Sequence, residues 1–558
     1  MATMIFLSTI LLMVFIVIII RGIFIIHKLQ QLSYKNLKLV DWLQSNRYRN
    51  VLLWDIFELF MPMLFIYILF YAINTTPYYK HITSLIMFIV FTWKILHPFF
   101  AGWIGFRAKL KKKLIYTQRV IRLLITFLIL TVITLIFSFY FTATPIDDFT
   151  LSAMGFLKFN AFILFLSIIS PILIIVSNLI NFPIEQNIRM IYFNKARRKL
   201  SKTNIITIGI TGSFGKTSTK FFLNTILNEH YKSICTPESY NTPMGVSKVI
   251  NSTDLSLYDT FVCEMGADRF GDIEHLCKLA PPDHSIISAI GVQHLETFYT
   301  INNIIETKLS LFNKTKTNGF KVYNYDSEIL RENIDKLKNR SNLYSYTINP
   351  DFAGVTDISA KDIKNTRDGL QFTVCFKDNT EFVVKAKLLG NHNVSNILGA
   401  VLLSSLIGVS KDKIVNGIAK ITPVPHRLQL IDPGTGVLVL DDAFNSNLEG
   451  AVEALRILNE IEGNKKIIIT PGFIELGEKD KEYNYNLGSA IAKYSDIAIL
   501  VGKNKTIDIK SGIIDNQNNH IEIHDVNSLE EAQEILKAIV RSGDIILFEN
   551  DLPDTFSE

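Results

Sequence analysis

A glycine-rich turn near the middle of the chain has the residue types needed to hold a phosphate group. Its sequence is Gly212-Ser213-Phe214-Gly215-Lys216-Thr217-Ser218. In such a turn, backbone N–H groups point at phosphate oxygens, a lysine adds positive charge and a hydroxyl reaches Mg²⁺. The candidate nucleotide ligands are Gly212, Ser213, Gly215, Lys216, Thr217 and Ser218. The turn therefore predicts a site where a nucleotide binds and gives up a phosphoryl group.

The turn departs at one position from the standard pattern GxxxxGK[ST]. That pattern has glycine at position 210, where this chain has Ile210, and the glycine falls at 212 instead. The flanking segments still fit, because residues 205–210 predict a strand and residues 217–228 predict a helix. A strand, a glycine turn and a helix together form the context that a phosphate-binding loop requires.

Short apolar runs alternate with amphipathic segments after residue 204. The runs at 205–210, 260–263 and 284–290 predict buried parallel strands, with helices such as 217–228 and 272–279 between them. This alternation predicts a doubly wound α/β domain.

The second half of the chain predicts a hairpin and then another α/β domain. Residues 372–376 and 381–384 alternate around a polar turn, and residues 391–407 predict a helix. Pro423 and Pro425 mark a linker. The strands predicted beyond it are 437–440, 466–470, 497–501 and 544–547.

The first 182 residues contain apolar runs long enough to cross a bilayer. The five predicted spans are 4–26, 51–72, 82–104, 123–142 and 160–181. The first run is too long for a secretory signal, so we interpret it as retained. The predicted fold class is therefore an α-helical transmembrane region, a P-loop-type central ATPase domain and a C-terminal Rossmann-like α/β domain. The predicted boundaries are 1–182 for the membrane region, 183–203 for a basic cytoplasmic linker, 204–425 and 426–558.

The distribution of charge predicts the orientation of this region. Residues 1–204 contain 22 Lys and Arg against 6 Asp and Glu, a net +16, and because the whole chain is +5 the remainder carries −11. Basic residues concentrate in the loops 27–50 and 105–122 and after the last span, which favours a multi-pass plasma-membrane protein with its N-terminus outside and its soluble domains in the cytoplasm. The basic segments either set orientation alone or also contact anionic lipid headgroups or a lipid-linked phosphate. An acidic soluble part argues against nucleic acid as a partner.

Further motifs follow the turn in a fixed order. They are Cys263-Glu264-Met265-Gly266-Ala267, Gln293-His294-Leu295-Glu296, Lys308, Asn324-Tyr325-Asp326, Gly390-Asn391-His392-Asn393-Val394-Ser395-Asn396, His426-Arg427-Leu428, Asp441-Asp442-Ala443-Phe444-Asn445-Ser446-Asn447 and Glu475-Leu476-Gly477. In this order, over about residues 204–550, the chain resembles the Mur ligase family. The last motif is similar to a signature of the branch that adds D-alanyl-D-alanine.

The resemblance implies a role for each matched residue. Thr217 and Glu264 would bind one Mg²⁺, and His294 with a carbamylated Lys308 would bind a second. The implied catalytic residues are Lys216, Lys308 and His294. The implied contacts to the rest of ATP are Asn324, Asp326, Asn393, Asn396, Arg427 and Asp442. Carbamylation by CO2 would matter because an ammonium group cannot bind a metal, whereas a carbamate oxygen can.

The resemblance also implies an activity. Family members join a carboxylate to an amine by first phosphorylating the carboxylate, so we expect a cell-envelope ligase that uses an amino acid or dipeptide. The family places a soluble domain for a UDP-sugar before the ATP loop, whereas this chain has apolar spans there. We therefore expect an acceptor carboxylate carried by a lipid or an envelope polymer. A poly-γ-glutamate synthase-like ligase, and a membrane scaffold or sensor with a degenerate ATP-binding domain, remain as alternatives.

Overall fold

The structure is a computed structural model. It describes residues 15, 18–19, 21–44, 114–142, 153–238, 240–291, 295–366, 368–423, 428–443, 448–473, 480–503, 505–516 and 521–550. The chain divides into two compact units, Met1–Met190 and Ile191–Glu558.

The first unit is helical throughout most of its described residues. Residues 21–31 are helical, and α1 (Asn36–Gln44), α2 (Gln118–Thr142) and α3 (Ala153–Leu200) follow. The apolar side chains buried between them include Ile25, Ile26, Leu29, Val120, Leu123 and Phe127. Polar contacts join the same helices, since Arg122 pairs with Glu185 at 2.6 Å and Asn178 Nδ2 donates to the Tyr34 carbonyl at 3.0 Å.

Among the residues that the structure describes, two stretches are long and apolar enough to cross a bilayer, judged by length and composition. They are Gln118–Phe137 and Ile169–Leu200, and they overlap the predicted spans 123–142 and 160–181. The predicted spans 51–72 and 82–104 lie outside the described residues, as does most of span 4–26. The predicted linker 183–203 is helical as far as Leu200, where α3 ends.

The central part of the second unit contains a nine-stranded sheet. Its strands are β1 (Ile206–Thr211), β2 (Ser233–Cys235), β3 (Thr260–Glu264), β4 (His284–Ile287), β5 (Lys321–Asn324), β6 (Leu343–Thr347), β7 (Ile358–Thr366), β8 (Gly369–Phe376) and β9 (Glu381–Ala386). The order across the sheet is β2-β3-β1-β4-β5-β6-β7-β8-β9. Strands from β2 to β7 run parallel, and β7, β8 and β9 are antiparallel. Because β3 and β4 lie on opposite sides of β1, the carboxyl end of β1 opens at a topological switch point, where ligands bind in such sheets.

Helices cover both faces of this sheet. They are α4 (Lys216–Leu227), α5 (Pro243–Ser252), α6 (Asp272–Leu279), α7 (Leu295–Phe298), α8 (Ile301–Lys314), α9 (Glu328–Asn333), α10 (Asn391–Leu406) and α11 (Lys411–Ala419). One core lies between the sheet and α4, α10 and α11, and a second lies between the sheet and α5, α6 and α8. Because the central strands are buried on both faces, they consist of apolar runs rather than of alternating residues.

A six-stranded sheet forms the C-terminal part of the unit. Its elements are β10 (Gln429–Ile431), β11 (Leu438–Asp442), α12 (Leu448–Glu460), β12 (Lys466–Thr470), α13 (Asp480–Tyr494), β13 (Ile497–Val501), α14 (Ile507–Asn516), β14 (Glu522–Val526), α15 (Leu529–Ile539) and β15 (Ile545–Glu549). The order is β10-β11-β15-β12-β13-β14, with only β10 antiparallel to its neighbour. The two predicted α/β series and the hairpin between them are thus confirmed.

Candidate active site

The phosphate-binding loop connects the carboxyl end of β1 to the first residue of α4. Gly215, directly before α4, has a φ of 77° in the left-handed region. A Cβ atom at Gly215 would collide with Asn396 Oδ1, and one at Gly212 would collide with Ser288 Oγ. Both positions require glycine because neighbouring side chains approach the loop backbone so closely.

Hydrogen bonds to the segment after β4 hold this loop in shape. The Ser213 N–H donates to the Ala289 carbonyl at 2.7 Å, and Ser213 Oγ bonds both the carbonyl and the N–H of Gly291, at 3.0 and 2.9 Å. The Ser288 hydroxyl donates to the Phe214 carbonyl. The loop is therefore fixed by the protein itself.

The first turn of α4 carries the lysine and the hydroxyl that the sequence singled out. Lys216 Nζ donates to the Ser213 carbonyl at 3.0 Å, so this ammonium group lies within the loop. Thr217 Oγ1 donates to Glu264 Oε1 at 3.2 Å. Both groups sit at the N-terminus of a helix, where the helix dipole favours an anion.

Glu264 is the last residue of β3, and four hydrogen-bonding partners surround it. Besides Thr217, Asn241 Nδ2 donates to Oε1 at 3.1 Å, Lys220 Nζ pairs with Oε2 at 3.2 Å, and the Glu264 N–H donates to Thr236 Oγ1 at 3.2 Å. The side chain is only 1% exposed. The carboxylate therefore has a fixed orientation beside the loop.

The sequence analysis missed three of these four partners. The spacing of Lys220 could have indicated a site residue, because it lies one helical turn beyond Lys216 and so projects from the same region of α4. No such spacing marked Asn241 and Thr236, since each belongs to an irregular segment far from Glu264 in sequence.

Lys308 is a buried amine on the helix α8. Burial, and then the positive charge of Lys216, lower the pKa of Lys308 to about 7, while the negative charge of Asp268 opposes the shift. The effect of Lys216 requires the two ammonium groups to lie near each other. The structure thus brings Lys216, Thr217 and Glu264 together in and beside one loop, with Lys308 close enough for its charge to interact with that of Lys216.

Comparison with known protein families finds two matching domains in this chain. Residues 210–404 match the Mur ligase middle domain, and residues 426–549 match the Mur ligase, glutamate ligase domain. The chain belongs to the Mur ligase family. Its relatives are ATP-dependent, ADP-forming amide ligases, and the chain is a MurF-like member.

The relatives support the MurF-like assignment. The chain is 27% identical over 363 residues to the UDP-N-acetylmuramoyl-tripeptide--D-alanyl-D-alanine ligase of Bacillus subtilis, covering 63% of this chain and 74% of that one. It is 29% identical over 311 residues to the Escherichia coli enzyme of the same name, covering 55% and 67%. The crystal structure of MurF ligase from Thermotoga maritima in complex with ADP aligns with a TM-score of 0.55 and 27% identity, covering 65% of this chain and 80% of that one.

Two of the residues expected near the base and ribose of ATP are Asn324 at the end of β5 and Asn396 on α10. Asn396 Oδ1 accepts a hydrogen bond from Thr219 of α4 at 3.1 Å. Asn324 Nδ2 donates to Ser395 Oγ at 3.2 Å, which joins the end of β5 to α10. Asn396 therefore lies beside the loop, and Asn324 is bonded to the residue that precedes Asn396 on α10.

Two other residues of this group make hydrogen bonds within the protein, and Ser218 of the glycine-rich turn is buried. Asp326 accepts from Thr347 Oγ1 and from the Ile348 N–H, so its carboxylate joins β5 to the end of β6. Asn393 Nδ2 donates to the Leu389 carbonyl at 2.8 Å, directly before α10. Ser218 is 8% exposed on the buried side of α4. Their nucleotide contacts remain predictions.

Two predicted site residues, His294 and Arg427, lie outside the described residues. Asp442, at the end of β11, accepts a hydrogen bond from the Leu428 N–H at 2.9 Å. This bond ties β11 to the residue that follows Arg427 in the chain. The contribution of the C-terminal domain to the nucleotide site remains a prediction.

The described side chains fit a magnesium ion shared with nucleotide phosphates. Mg²⁺ prefers oxygen ligands, keeps several waters and is usually bound by one or two carboxylates plus substrate phosphates. The Thr217 hydroxyl and Glu264 Oε1 supply two such oxygens side by side. Throughout the described part of the chain, no three His, Cys, Asp or Glu side chains form a cluster that could bind a metal without a substrate.

Proposed function

We propose that this Mur ligase joins a membrane-linked carboxylate to the amine of an amino acid or dipeptide through an acyl-phosphate. The observation that carries the proposal is the placement of Lys216, Thr217 and Glu264 in and beside the loop after β1, with the charge of Lys308 interacting with that of Lys216. These groups supply what phosphoryl transfer to an anion needs, namely positive charge and fixed oxygens around the triphosphate.

In the first step a carboxylate oxygen of the acceptor attacks the γ-phosphorus of ATP, and ADP leaves. Lys216 offsets negative charge on the phosphates, and Thr217 and Glu264 would hold an Mg²⁺ ion, which would supply further positive charge there. In the second step the amine nitrogen attacks the acyl carbon, inorganic phosphate leaves and the amine loses a proton. Both steps require the carboxylate to be held against the γ-phosphate.

We propose that a carbamate of Lys308 helps to hold that carboxylate. Only the neutral amine of a lysine adds to CO2, and a pKa of about 7 makes this form abundant at neutral pH. The carbamate oxygen and His294 would bind a second Mg²⁺. The positive charge of Lys216 favours the modified form, because the modification replaces one of two neighbouring positive charges by a negative one.

The substrates follow from the relatives and from the N-terminal sequence. Because the relatives are named as UDP-N-acetylmuramoyl-tripeptide--D-alanyl-D-alanine ligases, we propose a dipeptide as the amine donor. Apolar runs and a net charge of +16 occupy the first 204 residues, which favours an anchored protein whose acceptor lies at the inner membrane surface.

The test is a substrate panel with phosphate release as the readout. The full-length protein in lipid nanodiscs receives ATP, Mg²⁺, one amine and one acceptor, and the Lys216→Met variant serves as the inactive control. We expect release that depends on D-alanyl-D-alanine and on a lipid-linked muramoyl peptide. Release with soluble UDP-linked peptides alone would contradict the membrane-linked acceptor. Release with glutamate and a glutamate polymer would favour the poly-γ-glutamate alternative.

A further inference from the structure

The ion pair between Lys220 and Glu264 is almost completely buried. The two side chains are 0% and 1% exposed, and Lys220 Nζ lies 3.2 Å from Glu264 Oε2. Lys220 Nζ also donates to the Glu238 carbonyl, which fixes its position. Burying two charges costs free energy that their attraction often fails to recover, so such a pair is poorly explained by stability alone.

The partners of Glu264 are divided between its two oxygens. Oε2 pairs with Lys220, whereas Oε1 accepts from Thr217 and Asn241. Since each oxygen has its own partners, rotation of the carboxylate would break bonds on both sides. Oε1 is therefore directed at the phosphate-binding loop.

We propose that Lys220 is a positioning residue that holds Glu264 so that Oε1 alone is offered, together with Thr217, to a divalent cation. This inference rests on the proposed function for the identity of that cation. By engaging Oε2, the lysine prevents the carboxylate from binding the metal through both oxygens. The ion then keeps open positions for phosphate oxygens and water, which Mg²⁺ requires.

A direct measurement of metal affinity tests this role. The full-length protein with bound ADP is titrated with Mn²⁺, which substitutes for Mg²⁺ at oxygen sites, and the free ion is followed by electron paramagnetic resonance. We expect Lys220→Met to raise the Mn²⁺ dissociation constant by about 10- to 100-fold, the usual effect of losing a partner of a metal ligand. ADP affinity measured without metal should change little, because the hydrogen bonds described for the Lys220 ammonium group go to Glu264 and to the Glu238 carbonyl and not to the loop.

Two further variants make the result decisive. Lys278→Met makes the same substitution at an exposed lysine of α6 and should bind Mn²⁺ normally. Lys220→Arg keeps the charge, so it protects the fold if the methionine variant does not fold. Because a guanidinium group pairs with both carboxylate oxygens, it should weaken Mn²⁺ binding as well.

Three outcomes would overturn the proposal. Unchanged Mn²⁺ affinity in both Lys220 variants would assign the pair to the fold. Tighter affinity in Lys220→Met would show that the ammonium group competes with the metal. Normal affinity in Lys220→Arg alone would show that charge, and not orientation, is what matters.

A failed ligation assay with weakened Mn²⁺ binding would count against the proposed function and leave the role of Lys220 standing.

Discussion

Lys308 has a protonation state that depends on folding. An exposed lysine stays charged up to about pH 10.5, whereas burial and the charge of Lys216 lower the pKa of Lys308 to about 7. Between these values the unfolded chain binds a proton that the folded chain does not. Stability must therefore rise with pH over that window.

We expect the unfolding temperature of the wild type to rise relative to that of Lys308→Met between pH 7 and pH 10. The measurement is thermal unfolding in CO2-free buffers, so that the amine stays unmodified. Lys314→Met, on the same helix, is the matched control, because its pairing with Glu274 raises the pKa of Lys314 and shifts its titration above the window. A constant difference between wild type and Lys308→Met would show that Lys308 titrates as an ordinary lysine.

If Lys308 is carbamylated, ligase turnover should depend on bicarbonate. Protein held at low pH and stripped of CO2 should lose most ligase turnover, and bicarbonate should restore it. When the concentration of dissolved CO2 is kept equal, restoration should be faster at pH 8 than at pH 6, because only the neutral amine reacts. Lys308→Arg should be inactive under every condition, since arginine stays protonated in proteins. Complete indifference of the wild type to bicarbonate, or full turnover in Lys308→Ala, would remove the carbamate from the mechanism.

At the scale of single elements, the junction between β1 and α4 depends on one backbone conformation. Gly215 adopts a left-handed φ, and a side chain there would also meet Asn396. Left-handed backbone costs an ordinary residue about 1–2 kcal/mol, and the collision displaces either the loop or α10. The two effects can be separated experimentally.

We expect Gly215→Ala to lower ADP affinity by at least about tenfold, the equivalent of about 1.4 kcal/mol. Gly408→Ala is the matched control, because Gly408 has a φ of 94° and nothing within 4 Å of an added Cβ. It should lose a similar amount of stability and bind ADP normally. Isothermal titration and thermal unfolding of both variants provide the comparison, and equal ADP affinity in the two would show that the loop tolerates a side chain.

Most elements around the site could be predicted because their apolar runs match buried strands. Residues 466–470 and 497–501 are strands with the predicted bounds, and residues 272–279 form the predicted helix. The strand predicted at 284–290 ends at Ile287, because Ser288 and the residues after it leave the sheet to bond the phosphate-binding loop. That shortening depends on tertiary contacts, which a local pattern does not encode.

The candidate site was predictable only in part, for the same reason. Lys216 and Thr217 lie in a local motif with a known mechanism, and Glu264 and Lys308 were found through the order of the family motifs. Lys220 was missed because its role depends on its ion pair with Glu264, which lies 44 positions later in the chain. A charge on the buried side of a helix indicates a partner, but the sequence alone does not say which one.

At the scale of the whole molecule, the last turns of α3 belong to the catalytic unit. Ala196 and Leu200 are buried in the core formed with Val246 and Ile250. Lys199 Nζ donates to the Thr253 carbonyl at 2.6 Å and to the Asn251 carbonyl at 3.2 Å. The predicted domain boundary at residue 204 therefore cuts through a packed region.

We expect a fragment of residues 191–558 to unfold at a higher temperature than a fragment of residues 204–558. The longer fragment keeps Leu200 buried, and burial of a leucine side chain contributes about 1.5–3 kcal/mol. Thermal unfolding of both fragments measures the difference. Leu200→Ala in the longer fragment should account for part of it, and identical midpoints for the two fragments would show that the end of α3 contributes nothing to this core.

The reciprocal bonds between Ser213 and Gly291 have a thermodynamic consequence for substrate capture. A phosphate-binding segment that already holds its shape has little conformational entropy left to lose when ATP arrives. The heat released on association should then come largely from contacts with the triphosphate, with only a small contribution from ordering of the chain. Ser213→Ala, which removes this restraint, should make the association entropy less favourable.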